Sequence, residues 1–593
     1  PMDVEARVKL GVIRQRLGQY AEAEACGRRA VMLAPNLAVA RHTLAVALQC
    51  QGKVEEAVAG YREAIRLQPD YPDAHYLLGN ALMETGGLHE AEAHLRRAIS
   101  LRPDFFGALS DLGAILLMMG RVDEAPAILQ RALALRPESP EALANLASLL
   151  ERDERVEEAL ALYRRALRAQ PDSLDVLAKQ AELLEKTGRL AEAADAIERG
   201  LAREPGHPVL NLVAARLDRR EGRYAGAAAR LEAALSRQMP QDASGNIHLL
   251  LGQLYDRMGQ TEKVLDHLAE GKRRTASAAD PGGASRLRFM RKIDTAKTWL
   301  NDRLIAAAGA HPASPVDMPV FLIGFPRSGT TLLEQVLGSH PALQTMEEKP
   351  AAAAMEQAFL AMTGGGADAL ADLGQGQIAT LRQAYFDEAA RHVKRQPGTL
   401  LVDKLPLNTV RVPLLWRVFP EARFILAIRH PCDVTLSCLM QNFGANDAMA
   451  GFVSLEGVTE IYTRVMGAWR EYAERLPLHW HRIRYEDMVT NFEPEARALL
   501  EFLGVGWNDA VLDHTQHARQ RAVINTPSYH QVTQPIYQHA KYRWKRYEKE
   551  FTPVMEALRP FIECFGYSER GMVLHSTIPS EALQGRDLSR PAS

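Results

Sequence analysis

A turn at residues 324–331 has residue types that can hold an anionic group such as a phosphate. It reads GFPRSGTT; the apolar run before it suits a buried parallel strand, and the residues after it suit a helix. Backbone N–H groups at the start of that helix would face the anion, with hydroxyl donors from two threonines and charge from one arginine. The candidate anion-binding residues are Arg327, Ser328, Gly329, Thr330 and Thr331.

The turn departs from the Walker pattern GxxxxGK[ST] at a position that matters for chemistry. Gly324 and Gly329 have the Walker spacing, but Thr330 stands where that pattern has a lysine. The missing lysine reaches the β- and γ-phosphates of a nucleoside triphosphate, so a triphosphatase or a nucleotide kinase is the disfavoured alternative. The expected ligand is a 5'-phosphate that carries one further group.

A second segment, about a hundred residues later, supplies another arginine at a strand end. The apolar strand FILAIR ends at Arg429, and Ser437 follows after one helical stretch. Together with PRSGTT, this pair resembles the sulfotransferases that use 3'-phosphoadenylyl sulfate. The resemblance implies that Arg429 and Ser437 hold the 3'-phosphate, for which a guanidinium offers a charged, forked contact. Gln441, four residues after Ser437, stands where that family has a basic residue.

Finer matches resemble the protein-tyrosine sulfotransferase branch of this family. That resemblance implies a catalytic base at Glu348, which lies 21 residues after Arg327, with Glu347 as the alternative base. It implies that Lys404 contacts the departing oxygen of the donor and that Tyr485 contacts the adenine. The segment SYHQVTQPIY would wrap the nucleotide. The implied residues in and after this segment are a catalytic Ser528 and the nucleotide contacts Gln531, Val532, Pro535, Tyr537 and Arg543.

The implied reaction transfers a sulfuryl group to a hydroxyl and depends on positioning and charge stabilisation. Glu348 would take the acceptor proton, and Lys404, Ser528 and Arg327 would stabilise the oxygens. No metal is expected, because no histidine stands at ligand spacing from cysteines or carboxylates. A protein or peptide tyrosine is the first expected acceptor, since its pKa of about 10 makes deprotonation easier than for a sugar hydroxyl. A carbohydrate or small molecule is the alternative, and a scaffold with a degenerate transferase domain is another.

The first half of the chain is an internal repeat with a period of 34 residues. Glycine, alanine and proline recur on this lattice, and the segments between them carry apolar residues at helical spacing. The lattice glycines are Gly18, Gly52, Gly86, Gly120, Gly188 and Gly222. The pattern resembles the tetratricopeptide repeat and predicts about eight helical pairs. Their groove would hold the acceptor or a partner protein; a spacer or a surface for oligomerisation is the alternative.

The 593 residues are therefore expected to form an α-solenoid followed by an α/β, P-loop-like sulfotransferase domain with a central, mainly parallel sheet. The predicted parts are a repeat array at 1–275, a linker and capping helix at 276–318, the transferase domain at 319–570 and a tail at 571–593. A net charge of -2 argues against a nucleic-acid platform, and five scattered cysteines argue against a disulfide framework. The sequence contains no run of eighteen or more apolar residues, so no membrane span is predicted. We therefore expect a cytoplasmic protein. A homodimer is left open.

Overall fold

The computed structural model describes residues 2–121, 123–153, 155–237, 239–279, 283–307, 318–441, 443, 446–513 and 541–568. The chain divides into two compact units, of which the first ends at Val213 and the second begins at Ala214. This division differs from the predicted boundary at 275, because residues 214–275 of the repeats group with the α/β part of the chain. Contacts between them include those of Asp256 with Arg543 and Arg546.

Helices fill the repeat region, and in the described residues they form the eight pairs that the lattice predicts. Their bounds are α1 (Met2–Arg16), α2 (Tyr20–Leu33), α3 (Ala38–Gln49), α4 (Val54–Leu67), α5 (Pro72–Glu84), α6 (Leu88–Leu101), α7 (Phe106–Met118), α8 (Ala125–Leu135), α9 (Pro140–Arg152), α10 (Val156–Ala169), α11 (Leu174–Lys186), α12 (Leu190–Arg203), α13 (Pro208–Arg220), α14 (Tyr224–Leu235), α15 (Gln241–Arg257) and α16 (Thr261–Ala279).

The lattice residues have the structural roles that their types predict. All six lattice glycines, and Gly259 in the last pair, have φ between 74° and 80°, a conformation in which a Cβ is strained. Each therefore ends the first helix of its pair. The lattice alanines are fully buried; examples are Ala57, Ala91 and Ala159, each with no exposed surface. Small side chains at these positions let neighbouring helices approach closely, so the predicted solenoid of paired helices is confirmed.

In the described residues of the C-terminal half, five strands form one parallel sheet, as predicted. Their order across the sheet is β2-β3-β1-β4-β5. The bounds are β1 (Val320–Gly324), β2 (Leu343–Glu347), β3 (Leu400–Lys404), β4 (Arg423–Ile428) and β5 (His479–Arg484). The central strand β1 is buried along its whole length, which explains its uninterrupted apolar sequence.

Helices cover the sheet and connect its strands. Their bounds are α17 (Ala284–Thr298), α18 (Asp302–Ala306), α19 (Thr330–Gly338), α20 (Ala351–Thr363), α21 (Gln375–His392), α22 (Val412–Val418), α23 (Pro431–Leu439), α24 (Leu455–Arg475), α25 (Tyr485–Thr490), α26 (Phe492–Phe502) and α27 (Glu548–Cys564). Short 3-10 helices lie at Pro406–Arg411, Met449–Gly451, Asp509–Asp513 and Arg543–Tyr547. Across the described part of the chain, no helix has the length and apolar character to cross a bilayer.

The linker helix α17 is present where the sequence predicts a helix, but its contacts differ from those of a cap on the last repeat. It packs on α24 and on the short helix Met449–Gly451. Arg286 pairs with Glu460, and Arg288 pairs with Asp447 at 2.7 Å. The apolar side of α17 is buried, including Ile293. In the structure this helix is therefore part of the α/β region.

Candidate active site

The site lies at the edge of the sheet where all five parallel strands end. Most of the predicted site residues in the described part of the chain lie at a strand end or within a few residues after it, and parallel pairing brings those ends together. Ser437 on α23 and Arg543 lie farther along the chain. The register pairs Glu347 with Lys404 across β2 and β3, and it pairs Gly324 with Ala427 across β1 and β4. Residues far apart in sequence thus meet at one edge, which explains why short motifs after strands were sufficient to predict them.

The turn after β1 is built for close approach of the backbone. A Cβ added at Gly324 would lie 2.4 Å from the carbonyl oxygen of Ala427, so only glycine fits there. The Gly324 N–H donates to the Thr409 hydroxyl at 3.0 Å, which fixes the start of the turn. Gly329 directly precedes α19 with φ of 95°, and the neighbouring Thr330 is buried. The first N–H groups of α19 therefore have a rigid support from which to face an anion.

The predicted 3'-phosphate pair lies next to this turn. The Arg327 guanidinium donates through Nε to the Ser437 hydroxyl at 3.0 Å, which joins the turn to α23. Arg429 is only 8% exposed, and its guanidinium carbon lies 4.9 Å from the centre of the Tyr485 ring. Burial raises the pKa of Tyr485, and the charge of Arg429 opposes that rise. The two arginines, the serine and the tyrosine thus form one continuous surface.

Lys404 is the electrostatic centre of the other half of the site. Its ammonium group is fully buried and lies 2.8 Å from a Glu348 oxygen and 3.5 Å from an oxygen of Glu347. A third carboxylate, Glu334 on α19, lies 3.5 Å away and is also fully buried. Burial alone would lower the pKa of Lys404, but Glu334, Glu348 and Glu347 outweigh it, so the pKa is raised above its usual value. The lysine is therefore charged at neutral pH.

The two adjacent glutamates differ in exposure. The side chain of Glu348 is 42% exposed, whereas that of Glu347 is 9% exposed. Glu348 also has φ of 48°, in the left-handed region that costs a non-glycine residue about 1 kcal/mol or more. Among the described residues other than glycine, only Arg327, Glu348 and Tyr542 have positive φ, and two of the three are predicted site residues. The strain and the exposure both favour Glu348 as the residue that meets a substrate.

A buried carboxyl group adjoins this cluster. Asp403 has no exposed surface, and Tyr385 donates a hydrogen bond to it at 2.9 Å. Burial raises the pKa of Asp403 to about 7, although Tyr385, Arg411 and Lys404 each oppose the rise. The carboxyl group is therefore protonated in the folded state over a range of pH in which it is ionised in the unfolded chain.

We expect this group to make the α/β domain less stable as the pH rises. Between the usual value of 3.8 and about 7, the folded state binds one proton more than the unfolded state, so raising the pH favours unfolding. The contribution is up to about 1.4 kcal/mol per pH unit in that window. Asp403→Asn should reduce the change in the free energy of unfolding with pH, and Asp387→Asn, at an exposed position, should leave that change as in the parent.

Urea unfolding followed by tryptophan fluorescence at pH 5 and pH 8 measures the free energy of unfolding. An equal change between the two pH values for Asp403→Asn and the parent would contradict the prediction.

Of the residues predicted to wrap the nucleotide, only Arg543 lies in the described part of the chain. Ser528, Gln531, Val532, Pro535 and Tyr537 lie outside the described residues, so their roles remain predictions. Arg543 is described, and its guanidinium binds the buried carboxylate of Asp256 in α15. Its predicted contact with a nucleotide also stays a prediction.

Two charged residues near the site were missed by sequence reasoning. Glu334 interrupts the apolar sequence of α19, and a carboxylate on an otherwise buried helix is a signal that could have identified it. Asp256 gave no such signal, because acidic residues occur on most of the repeat helices. Within the described residues, no group of three or more histidine, cysteine, aspartate or glutamate side chains is placed to hold a metal ion.

Protein-family models match two separate parts of the chain. A model described as the sulfotransferase family matches residues 319–509. Models of the tetratricopeptide repeat match residues 4–37, 48–86, 77–140, 110–174 and 144–208. The N-terminal half thus carries tetratricopeptide repeats, and the C-terminal part carries a sulfotransferase domain.

Curated relatives match at modest identity. An uncharacterized protein of Aquifex aeolicus is 31% identical over 253 residues, which are 41% of this chain and 33% of that protein. Protein-tyrosine sulfotransferase 1 of Danio rerio is 28% identical over 274 residues, covering 42% of this chain and 73% of the relative. The human protein of the same name is 26% identical over 302 residues, covering 46% and 77%. The match thus spans only about a third of the Aquifex protein.

A tetratricopeptide repeat protein from Parabacteroides merdae is among the solved structures that match part of this chain. It is 18% identical with a TM-score of 0.38, and the match covers 44% of this chain and all of that one. Pseudomonas aeruginosa pilF is 22% identical with a TM-score of 0.32, covering 35% of this chain and 95% of its own.

Proposed function

We propose that this chain, in which tetratricopeptide repeats precede a sulfotransferase domain, transfers a sulfuryl group from 3'-phosphoadenylyl sulfate to a tyrosine hydroxyl of a protein or peptide. The observation that carries the proposal is the meeting of two arginines with a lysine–glutamate pair at one sheet edge. The arginines, Arg327 and Arg429, suit a ligand with negative charge at both ends. The pair of Lys404 and Glu348 suits charge stabilisation and proton transfer at the sulfuryl end of that ligand.

The residues present fit this donor. The turn after β1 and Arg327 would hold the 5'-phosphosulfate, while Arg429 and Ser437 would hold the 3'-phosphate. A Cβ at Gly329 would lie 2.8 Å from the Tyr485 ring, so glycine leaves just enough room between turn and ring. Tyr485 would then present its ring to the adenine beside Arg429. The Asp433 carboxylate lies 3.9 Å from the Arg429 guanidinium, and a 3'-phosphate would place a second anion beside this buried arginine.

The reaction balances without any further reactant. The acceptor oxygen forms a bond to sulfur while the bond from sulfur to the 5'-phosphate oxygen breaks, and adenosine 3',5'-bisphosphate leaves with that electron pair. The acceptor proton passes to the Glu348 carboxylate. Lys404, held charged by its three carboxylates, would stabilise the negative charge on the departing oxygen. Ser528 would assist there, as the family resemblance implies.

The choice of a tyrosine acceptor has two supports. The Danio and human relatives are named as protein-tyrosine sulfotransferases. In addition, Glu348 is the exposed member of the cluster, so a side chain on a protein surface could reach it. Transfer of labelled sulfate from the donor into a cell lysate, with mass spectrometry of the products, tests this choice. Label on tyrosine would support it, and label confined to glycans or small molecules would contradict it.

Binding of nucleotides tests the donor itself. We expect adenosine 3',5'-bisphosphate to bind about ten to a hundred times more tightly than adenosine 5'-monophosphate, because one charge-assisted contact contributes about 1.5–3 kcal/mol. Arg429→Met should remove most of that preference, whereas Arg497→Met, at an exposed position, should keep it. Titration calorimetry on the full chain measures both ligands. Equal affinities for the parent protein would contradict the proposed donor.

The repeats have a separate proposed role as a groove for the acceptor or a partner protein. Polar side chains on the first helices of successive pairs support this, since Gln49 donates to Asn80 at 3.2 Å and Asn80 donates to Asp111 at 3.5 Å. Such a row, spaced by 31 residues, offers hydrogen-bonding groups along the first unit. The labelled products of the lysate experiment would also identify which proteins are acceptors.

A further inference from the structure

The last helical pair of the repeats contacts the segment that carries the candidate 3'-phosphate site. Gln253 on α15 donates through Nε2 to the carbonyl oxygen of Met440 at 2.7 Å. Lys272 on α16 donates through Nζ to the carbonyl oxygen of Gln441 at 2.5 Å. Both carbonyls directly follow α23, which carries Ser437. Two repeat side chains thus cap the C-terminal end of the helix that binds Arg327.

A buried ionic cluster fixes this contact. The Asp256 carboxylate on α15 is 2% exposed and accepts hydrogen bonds from Arg543, from Arg546 at 2.9 Å and from the Tyr547 hydroxyl at 2.6 Å. A buried carboxylate with several charged donors holds its partners in one geometry. The pair α15 and α16 is therefore a fixed part of this compact unit.

Lys272 is unusual for a lysine on a repeat helix. It is 6% exposed, and the hydrogen bond of its ammonium group goes to a backbone carbonyl oxygen. Its partners are the Gln441 carbonyl and the ring of Phe443, whose centre is 5.8 Å from Nζ. Burial lowers the pKa of Lys272 to about 8. A buried ammonium group without a counter-charge costs free energy, which a nearby anion would offset.

The position of Lys272 shows where that anion would be. Gln441 lies four residues after Ser437, which is about 6 Å along a helix. Arg327 contacts Ser437 on α23, and Arg429 lies 3.9 Å from Asp433 on the same helix. Lys272 binds the Gln441 carbonyl that follows this helix. Three cations, two from the sulfotransferase domain and one from the repeats, therefore contact α23 or the residues that directly follow it.

We propose that Lys272 supplies a third cation to the 3'-phosphate site, so that the last repeat forms part of the donor site. Gln441 is uncharged and stands where the sulfotransferase family has a basic residue. Lys272 donates a hydrogen bond to the Gln441 carbonyl and would supply the positive charge in place of that basic residue. The inference rests on the proposed function, since it takes the 3'-phosphate as the ligand. The donor site is then complete only when α16 is docked.

Titration calorimetry with adenosine 3',5'-bisphosphate and with adenosine 5'-monophosphate tests this on the full chain. Lys272→Met removes charge and hydrogen bond, Lys272→Gln removes the charge but keeps an N–H donor, and Lys272→Arg keeps the charge. Lys263→Met, at an exposed position on the same helix, is the matched control. We expect the methionine and glutamine variants to bind the bisphosphate about tenfold more weakly, with the monophosphate unaffected. The arginine variant and the control should resemble the parent.

The possible failures can be told apart. Native bisphosphate affinity in Lys272→Gln would overturn the proposal, because the hydrogen bond to Gln441 would then be sufficient. An equal loss for both nucleotides would also overturn it, since Lys272 would only support the domain. A parent protein that does not prefer the bisphosphate would overturn both this inference and the proposed donor. Melting curves from tryptophan fluorescence check that each variant is folded, and if the methionine variant is not, the glutamine and arginine variants still decide.

Discussion

Glu348→Gln should lower the rate of sulfuryl transfer by about two to four orders of magnitude, the usual contribution of a general base. Glutamine has nearly the same shape but cannot accept the acceptor proton. Lys404 keeps Glu334 and Glu347 as partners in this variant, so its charge and the packing around it should survive. Donor binding should therefore stay near the native level, because Glu348 is assigned to the acceptor.

Glu347→Gln is the matched control, since it replaces the neighbouring carboxylate by the same carboxamide group. We expect it to keep transfer within about tenfold of the parent, because its side chain is nearly buried and faces Lys404. Single-turnover transfer with saturating donor, beside calorimetry with adenosine 3',5'-bisphosphate, separates chemistry from binding. An active Glu348→Gln together with an inactive Glu347→Gln would move the base to Glu347.

Lys404→Met should both abolish transfer and destabilise the α/β domain by about 3–5 kcal/mol. The lysine is fully buried with Glu334, which is also fully buried, so its removal takes a cation 3.5 Å away from a carboxylate in the protein interior. Glu347 loses the same partner. The double variant Lys404→Met/Glu334→Gln should recover part of the stability but none of the activity, because the charge on the departing oxygen remains unopposed.

Tryptophan fluorescence can measure the stability that the α/β domain loses in Lys404→Met. All six tryptophans lie after residue 298, so their fluorescence follows the α/β domain while circular dichroism is dominated by the repeat helices. Lys394→Met, at an exposed position, should change the urea midpoint little. If Lys404→Met unfolded at the native midpoint, the ion pairs around Lys404 would not contribute to stability as the structure indicates.

Local sequence was enough to predict the elements that obey a repeating or directional rule. The 34-residue lattice predicted the helical pairs because left-handed glycines and buried alanines must recur with each pair. The site at the sheet edge was predictable because motifs after strands such as β1 and β4 need only the parallel arrangement to meet. Arg327 and Arg429 were predicted from the motifs that follow β1 and β4, whereas Glu348 and Lys404 were predicted from the family resemblance. All four lie at strand ends or within a few residues after them.

Contacts between distant segments were not predictable in this way. The α17 helix shows an apolar face, but sequence does not say which surface that face covers, and α24 rather than the last repeat does so. Asp256 and Lys272 resemble the many charged residues on repeat helices, and only their burial distinguishes them. Pairing between residues nearly 300 positions apart leaves no periodic trace in a single sequence. Ser528 and its neighbours remain predictions from resemblance.

The ionic cluster at Asp256 has a consequence for how this protein can change over generations. Whole repeats of 34 residues can be duplicated or lost in the upstream array, because each helical pair is nearly equivalent to the next. The pair α15 and α16 is not interchangeable with the others, since Gln253, Asp256 and Lys272 must keep their register against α23 and Arg543. We therefore expect variation in repeat number among natural relatives to fall before Ala214, with the final pair inherited together with the sulfotransferase domain.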